Sequence, residues 1–113
     1  MAETQLYALH AGICQTLANP KRLEIIDRLR KGERSVTQLA EAMQISQANL
    51  SQHLAVMRQK GIVQTRREAL NVYYRLGNPK IAQACDLMRE VLLEHLESGA
   101  KSVREKKDKE TTP

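Results

Sequence analysis

The stretch SVTQLAEAMQISQANLSQHLAVMRQKG, residues 35–61, decides the fold, because it holds two helical periods separated by only three residues. Ser35 followed three positions later by Gln38 is a capping box, and Leu39 and Met43 lie one turn apart, so a short helix opens here. Ser46 then caps a second helix, with Leu50, Leu54 and Met57 at i, i+4 and i+7 and Gly61 as its stop. Gln44-Ile45-Ser46 is the whole connection.

Working outward, Leu6, Leu9, Ile13 and Leu17 form one stripe and predict an amphipathic helix over 3–17. Asn19 is a good N-cap, Pro20 fits the first helical position, Leu23, Ile26 and Leu29 recur at threes, and Gly32 ends this second helix. Past Gly61 the period changes. Residues 62–67 and 72–76 are rich in β-branched residues and tyrosine, and Glu68-Ala69-Leu70-Asn71 separates them, so they read as a β-hairpin. After Asn78-Pro79 a last helix runs to about Glu97, with Ile81, Ala84, Cys85, Met88, Leu92, His95 and Leu96 in its stripe. The expected fold is mainly α with a small β-hairpin, in the order α-α-α-α-β-β-α, which is the layout of a winged helix-turn-helix. Residues 1–97 form the domain. Residues 98–113 carry one large apolar residue among mixed charges, and are expected to be a disordered charged tail.

The second helix of the pair is unusual on its outward side. Measured from Leu50, the positions pointing away from the core are Ala48, Asn49, Ser51, Gln52, Ala55 and Val56, and none is charged. A solvated helix face normally carries Glu and Lys pairs. An uncharged face of small and amide side chains suits the DNA major groove: small residues let the helix sit deep, Gln and Asn pair with adenine edges, and Ala touches a thymine methyl. Ser46 and Gln47 stand at the N-terminal end, where the helix dipole favours a phosphate, and Arg58 and Lys60 stand at the other end. His53 lies on the flank of the core, where it either hydrogen-bonds within the motif or reaches the backbone of a nucleic acid. The hairpin adds Arg66, Arg67 and Arg75, with Asn71 near its tip, as phosphate or minor-groove contacts. Strand alternation puts Tyr74 inward with Val72 and Leu76, and Tyr73 beside Arg75 on the other face. Two other classes remain open: a surface of small residues that docks a protein helix, and a soft-metal-binding protein.

Composition narrows the field. Of 113 residues, three are Tyr and none is Phe or Trp, which argues against modules that stack bases on aromatic platforms. The net charge of +5 is concentrated at residues 20–35 and 58–75, which flank the two decisive helices. No apolar run approaches the ~18 to 20 residues of a membrane span and no secretory signal pattern opens the chain, so a cytoplasmic protein without membrane contact is expected. Two cysteines 71 positions apart fit neither a zinc knuckle nor a disulfide framework. No nucleophile or acid–base pairing stands at recognisable spacing, and no catalysis is assigned.

The run Ser46-Gln47-Ala48-Asn49-Leu50-Ser51-Gln52-His53-Leu54 combines with Leu17-Ala18-Asn19-Pro20-Lys21-Arg22-Leu23, Ser35-Val36-Thr37-Gln38-Leu39-Ala40, Gly61-Ile62-Val63 and Val72-Tyr73-Tyr74-Arg75-Leu76. In that order these segments resemble the ArsR/SmtB family of transcriptional repressors, over roughly residues 5–97. The resemblance implies a homodimer built on the first and last helices, binding an inverted-repeat operator in double-stranded DNA and releasing it on a signal. It also implies that Gln47, Ala48, Ser51 and Gln52 face the groove and that Arg66 and Arg67 belong to the wing. The apolar stripes of the first and last helices independently call for a covering partner.

The family's metal sites have no counterpart here. The start of the third helix, Val36-Thr37-Gln38-Leu39-Ala40, has no thiol; Asp86 is followed by Leu87-Met88; and His95 has Ser98 three positions on, so the tetrahedral set that zinc requires is missing. Cys14 and Cys85 remain, with His10 one turn before Cys14. They are read either as packed core cysteines, as a thiol-based redox or sulfur switch, or as ligands for a soft metal or metalloid.

Overall fold

A computed structural model of the chain describes residues 1–111, with side chains through Lys101. The elements are α1 (Glu3–Leu17), α2 (Pro20–Leu29), β1 (Arg34–Ser35), α3 (Val36–Met43), α4 (Gln47–Gln59), β2 (Val63–Glu68), β3 (Asn71–Leu76) and α5 (Lys80–Thr111). They divide into two compact units, Met1–Ala82 and Gln83–Pro113. The expected order is observed, with one strand added.

The caps form as their chemistry requires. Asn19 accepts from the amides of Lys21 and Arg22, Ser35 and Gln38 close a reciprocal capping box, and Ser46 accepts from the amide of Asn49. Gln44 takes a left-handed conformation, φ 56°, which ends α3 and turns the chain into α4.

The core of the first unit is aliphatic. Ile25, Ile26, Leu39, Leu50, Leu54, Met57, Ile62 and Val63 are essentially fully buried, and each side chain of this kind contributes about 1.5–3 kcal/mol on burial. Leu23 is not among them. The buried arc of α2 is centred on Ile25, Ile26 and Leu29, which leaves Leu23 41% exposed and turns Arg22 toward the domain.

The hairpin is part of a three-stranded antiparallel sheet of order β1-β3-β2. Two-residue β1 is too short to carry a period, and its Ser35 both pairs with Tyr73 and caps α3. The β2–β3 register pairs Glu68 with Asn71, so the loop is Ala69-Leu70, shorter than the four-residue separation expected. Gly61 at φ 75° turns the chain from α4 into β2, and a Cβ at Gly77 would collide with the Gly61 carbonyl oxygen.

The last helix does not stop near Glu97. α5 is Lys80–Thr111, so the backbone is helical through most of the segment expected to be a disordered tail. Residues 100–111 contain neither Pro nor Gly and are rich in Lys, Arg and Glu, which are good helix formers, whereas Gly99 lowers helix stability by about 1 kcal/mol without breaking it.

Candidate nucleic-acid interface

α4 is anchored by Leu50, Leu54 and Met57, each fully buried, and this fixes which side faces out. Ser46, Gln47, Ala48, Asn49, Ser51, Gln52, Ala55 and Arg58 are exposed. Val56 is half-buried, so the uncharged face is narrower than the sequence implied. Ser46 is occupied as a cap, 3.1 Å from the Asn49 amide. Gln47 reaches back to α3, its amide nitrogen donating to the Thr37 hydroxyl at 3.4 Å. Ser51 and Gln52 project from the middle of the helix, where a groove-bound helix makes its base contacts.

His53 is turned into the domain. Its Nδ1 accepts from Arg22 Nε at 3.2 Å, and Arg22 Nη1 donates to the Thr16 carbonyl at 3.1 Å. The Thr16 hydroxyl in turn donates to the Gly12 carbonyl at 2.8 Å. Burial, then Arg22 and Lys21, holds the His53 imidazole below its ordinary pKa. Of the two roles open for His53, the hydrogen bond within the motif is the one observed. Nothing in the sequence marked Arg22 as its partner, because the pair spans 31 positions.

The wing separates residues that the sequence placed together. Cross-strand pairing puts Thr65, Arg67, Val72 and Tyr74 on one face of the hairpin and Gln64, Arg66, Tyr73 and Arg75 on the other. Arg66 is held by two carboxylates: Nη2 lies 2.6 Å from Glu33 Oε1 and Nη1 lies 2.7 Å from Glu68 Oε2. Its guanidinium also lies over Tyr73, 4.8 Å from the ring centroid. Arg75 donates to Gln64 at 3.1 Å. Arg67 and Arg75 are exposed and, among the described residues, neither forms a salt bridge, although the charge of Arg75 acts on the Glu33 carboxylate. Asn71 opens β3 and is exposed.

His10 and Cys14 are both exposed on α1, and Cys85 is half-buried on α5 in the second unit. Among the described residues no three His, Cys, Asp or Glu side chains gather as a metal set, and no helix is long and apolar enough to cross a membrane.

The family model described as "Bacterial regulatory protein, arsR family" matches residues 19–65, from the cap of α2 into β2. The chain is 43% identical over 76 residues to the biofilm growth-associated repressor of Agrobacterium fabrum, covering 67% of this chain and 65% of that protein, so it spans just under two thirds of that relative. It is 37% identical over 79 residues to the transcriptional activator HlyU of Vibrio cholerae, covering 70% of this chain and 73% of that one. Its fold is similar to the homodimeric winged helix-turn-helix DNA-binding domain of Mb0332 from Mycobacterium bovis, with a TM-score of 0.77 at 33% identity, covering 87% of this chain and 93% of the other.

Proposed function

This chain belongs to the arsR family of bacterial regulatory proteins, and from that premise we propose that it is a sequence-specific, DNA-binding transcriptional repressor. One observation carries the reading: the exposed face of α4 is uncharged over Ala48, Asn49, Ser51, Gln52 and Ala55, while basic residues stand at the end of the helix and on the wing. Gln47, Ser51 and Gln52 read base edges, with Ala48 and Asn49 beside them. Ser46 and the amides at the start of α4, with Arg58, Arg67, Asn71 and Arg75, hold the backbone.

The working unit is a homodimer. α1 leaves Leu6, Tyr7, Leu9 and Ile13 exposed, and α5 leaves Leu87, Met88, Val91, Leu92, Leu93 and Leu96 exposed, more apolar surface than a lone domain keeps wet. A second copy covers each face, and two-fold symmetry sets the recognition helices about 34 Å apart, matching an inverted repeat. The protein works where the DNA is, in the cytoplasm. The releasing signal is assigned to the thiols Cys14 and Cys85, of which Cys14 is the more exposed.

The test is selection of duplexes from a random library, followed by salt titration of the selected and a scrambled duplex. Tight, discriminating, salt-steep binding is expected. Weak and salt-flat binding to both overturns the reading in favour of a protein-docking module.

A further inference from the structure

We propose that Glu33 is a positioning residue that withholds Arg66 from the nucleic-acid backbone and so keeps sequence-independent affinity low; this rests on the DNA-binding reading above. Glu33 immediately precedes β1 and Arg66 lies within β2, on strands separated by β3. Arg66 spans that middle strand, lying over the ring of Tyr73, with its Nε 3.2 and 3.1 Å from the two Glu33 oxygens and its Nη2 2.6 Å from Oε1. Glu68 takes the remaining Nη1 edge at 2.7 Å.

The charge count is decisive. One guanidinium is shared by two carboxylates, so Arg66, Glu33 and Glu68 together carry a net −1, and even with the charge of Arg75, which also acts on Glu33, the group has no net positive charge to neutralise a phosphate. A phosphate that recruits Arg66 must first displace a carboxylate. The fork geometry makes the Glu33 pair specific. Yet the Arg66 side chain is 44% exposed, and pairs at that exposure are weak enough to exchange. Glu33 therefore competes with DNA for this arginine without locking it. Arg66 is released only where the rest of the interface fits well enough to offset the exchange, so the effect falls hardest on random sequence.

The experiment compares wild type, Glu33→Gln, Arg66→Gln and the double variant on a random-sequence duplex, by fluorescence anisotropy across a salt series. Glu33→Gln keeps size and an acceptor but removes the charge. Tighter binding and a steeper salt slope are expected, by less than the ~0.9 unit that a wholly freed arginine contributes per phosphate, because Glu68 still holds Nη1. That gain disappears in the double variant. An unchanged slope, or weaker binding by Glu33→Gln, overturns the proposal and leaves Glu33 as a brace for the wing. If wild type itself shows no salt-dependent binding, the DNA reading fails and takes this inference with it.

Discussion

Arg22 and His53 are joined across the domain, the guanidinium Nε donating to the imidazole Nδ1 at 3.2 Å while the same side chain holds the end of α1 through the Thr16 carbonyl. Nδ1 accepts only when unprotonated, so this contact requires the neutral ring. Burial first, and then Arg22 and Lys21, lowers its pKa below the ordinary 6.5. The unfolded chain thus binds this proton more readily than the folded one. Stability from this contact is full above about pH 6.5 and is lost as pH falls through that value toward the lowered folded pKa. Urea midpoints should fall on going from about pH 7.5 to about pH 5.5, and fall less in His53→Gln, whose amide oxygen still accepts from Arg22. An equal fall in both proteins contradicts the assignment.

Gly77 is required by a close approach. Its amide donates to the Ile62 carbonyl at 2.9 Å, and a methyl group there meets the Gly61 carbonyl. Gly77→Ala is expected to cost about 1–3 kcal/mol in thermal unfolding, as overpacking does. Gly99→Ala, with nothing near the new methyl, is expected to gain about 0.5–1 kcal/mol of helix stability. A Gly77→Ala protein as stable as its parent contradicts the packing argument.

The two helices around Gln44-Ile45-Ser46 were legible because caps and period agree locally: the Ser35–Gln38 box, the Ser46 cap and the Leu50, Leu54, Met57 stripe all form. What the sequence hid depends on pairing over long distances. β1 has two residues and exists only through its pairing with β3. Glu33 meets Arg66 across 33 positions, which no local pattern marks. The separation of Arg66 from Arg67 was available in principle, since adjacent strand residues point to opposite faces. On α2, a stripe read at threes selected Leu23, whereas the fold buries Ile25, because the long Arg22 side chain takes a place on the inward arc. The helix beyond Glu97 reflects propensity where a burial argument predicted disorder.

The wing arginines are expected to differ in DNA binding. On a random-sequence duplex Arg67→Ala should reduce the salt slope by about one unit per protomer, because its charge is paired with no carboxylate among the described residues, and Arg75→Ala by less, because its charge also acts on Glu33. Arg66→Ala should leave the slope on that random-sequence duplex nearly unchanged, since Arg66 is released only where the interface fits. Equal flattening by all three substitutions contradicts the role given to the Glu33 and Glu68 carboxylates.

If the thiols carry the signal, peroxide, polysulfide or arsenite releases the wild-type protein from DNA, and mass spectrometry of the released protein finds the adduct at Cys14 or Cys85. A Cys14→Ser, Cys85→Ser double variant should stay bound. Release of that variant at the parent's dose removes the thiols from the mechanism.

The central claim is that the uncharged face of α4 reads bases, and Gln52→Ala tests it most directly, since Gln52 is exposed at the middle of that face and is not part of the core. Binding of wild type and Gln52→Ala is measured on the library-selected duplex and on a scrambled duplex at one salt concentration. The account predicts a loss of about 1–3 kcal/mol on the selected duplex, with much less lost on the scrambled one. Equal losses on both duplexes would contradict it.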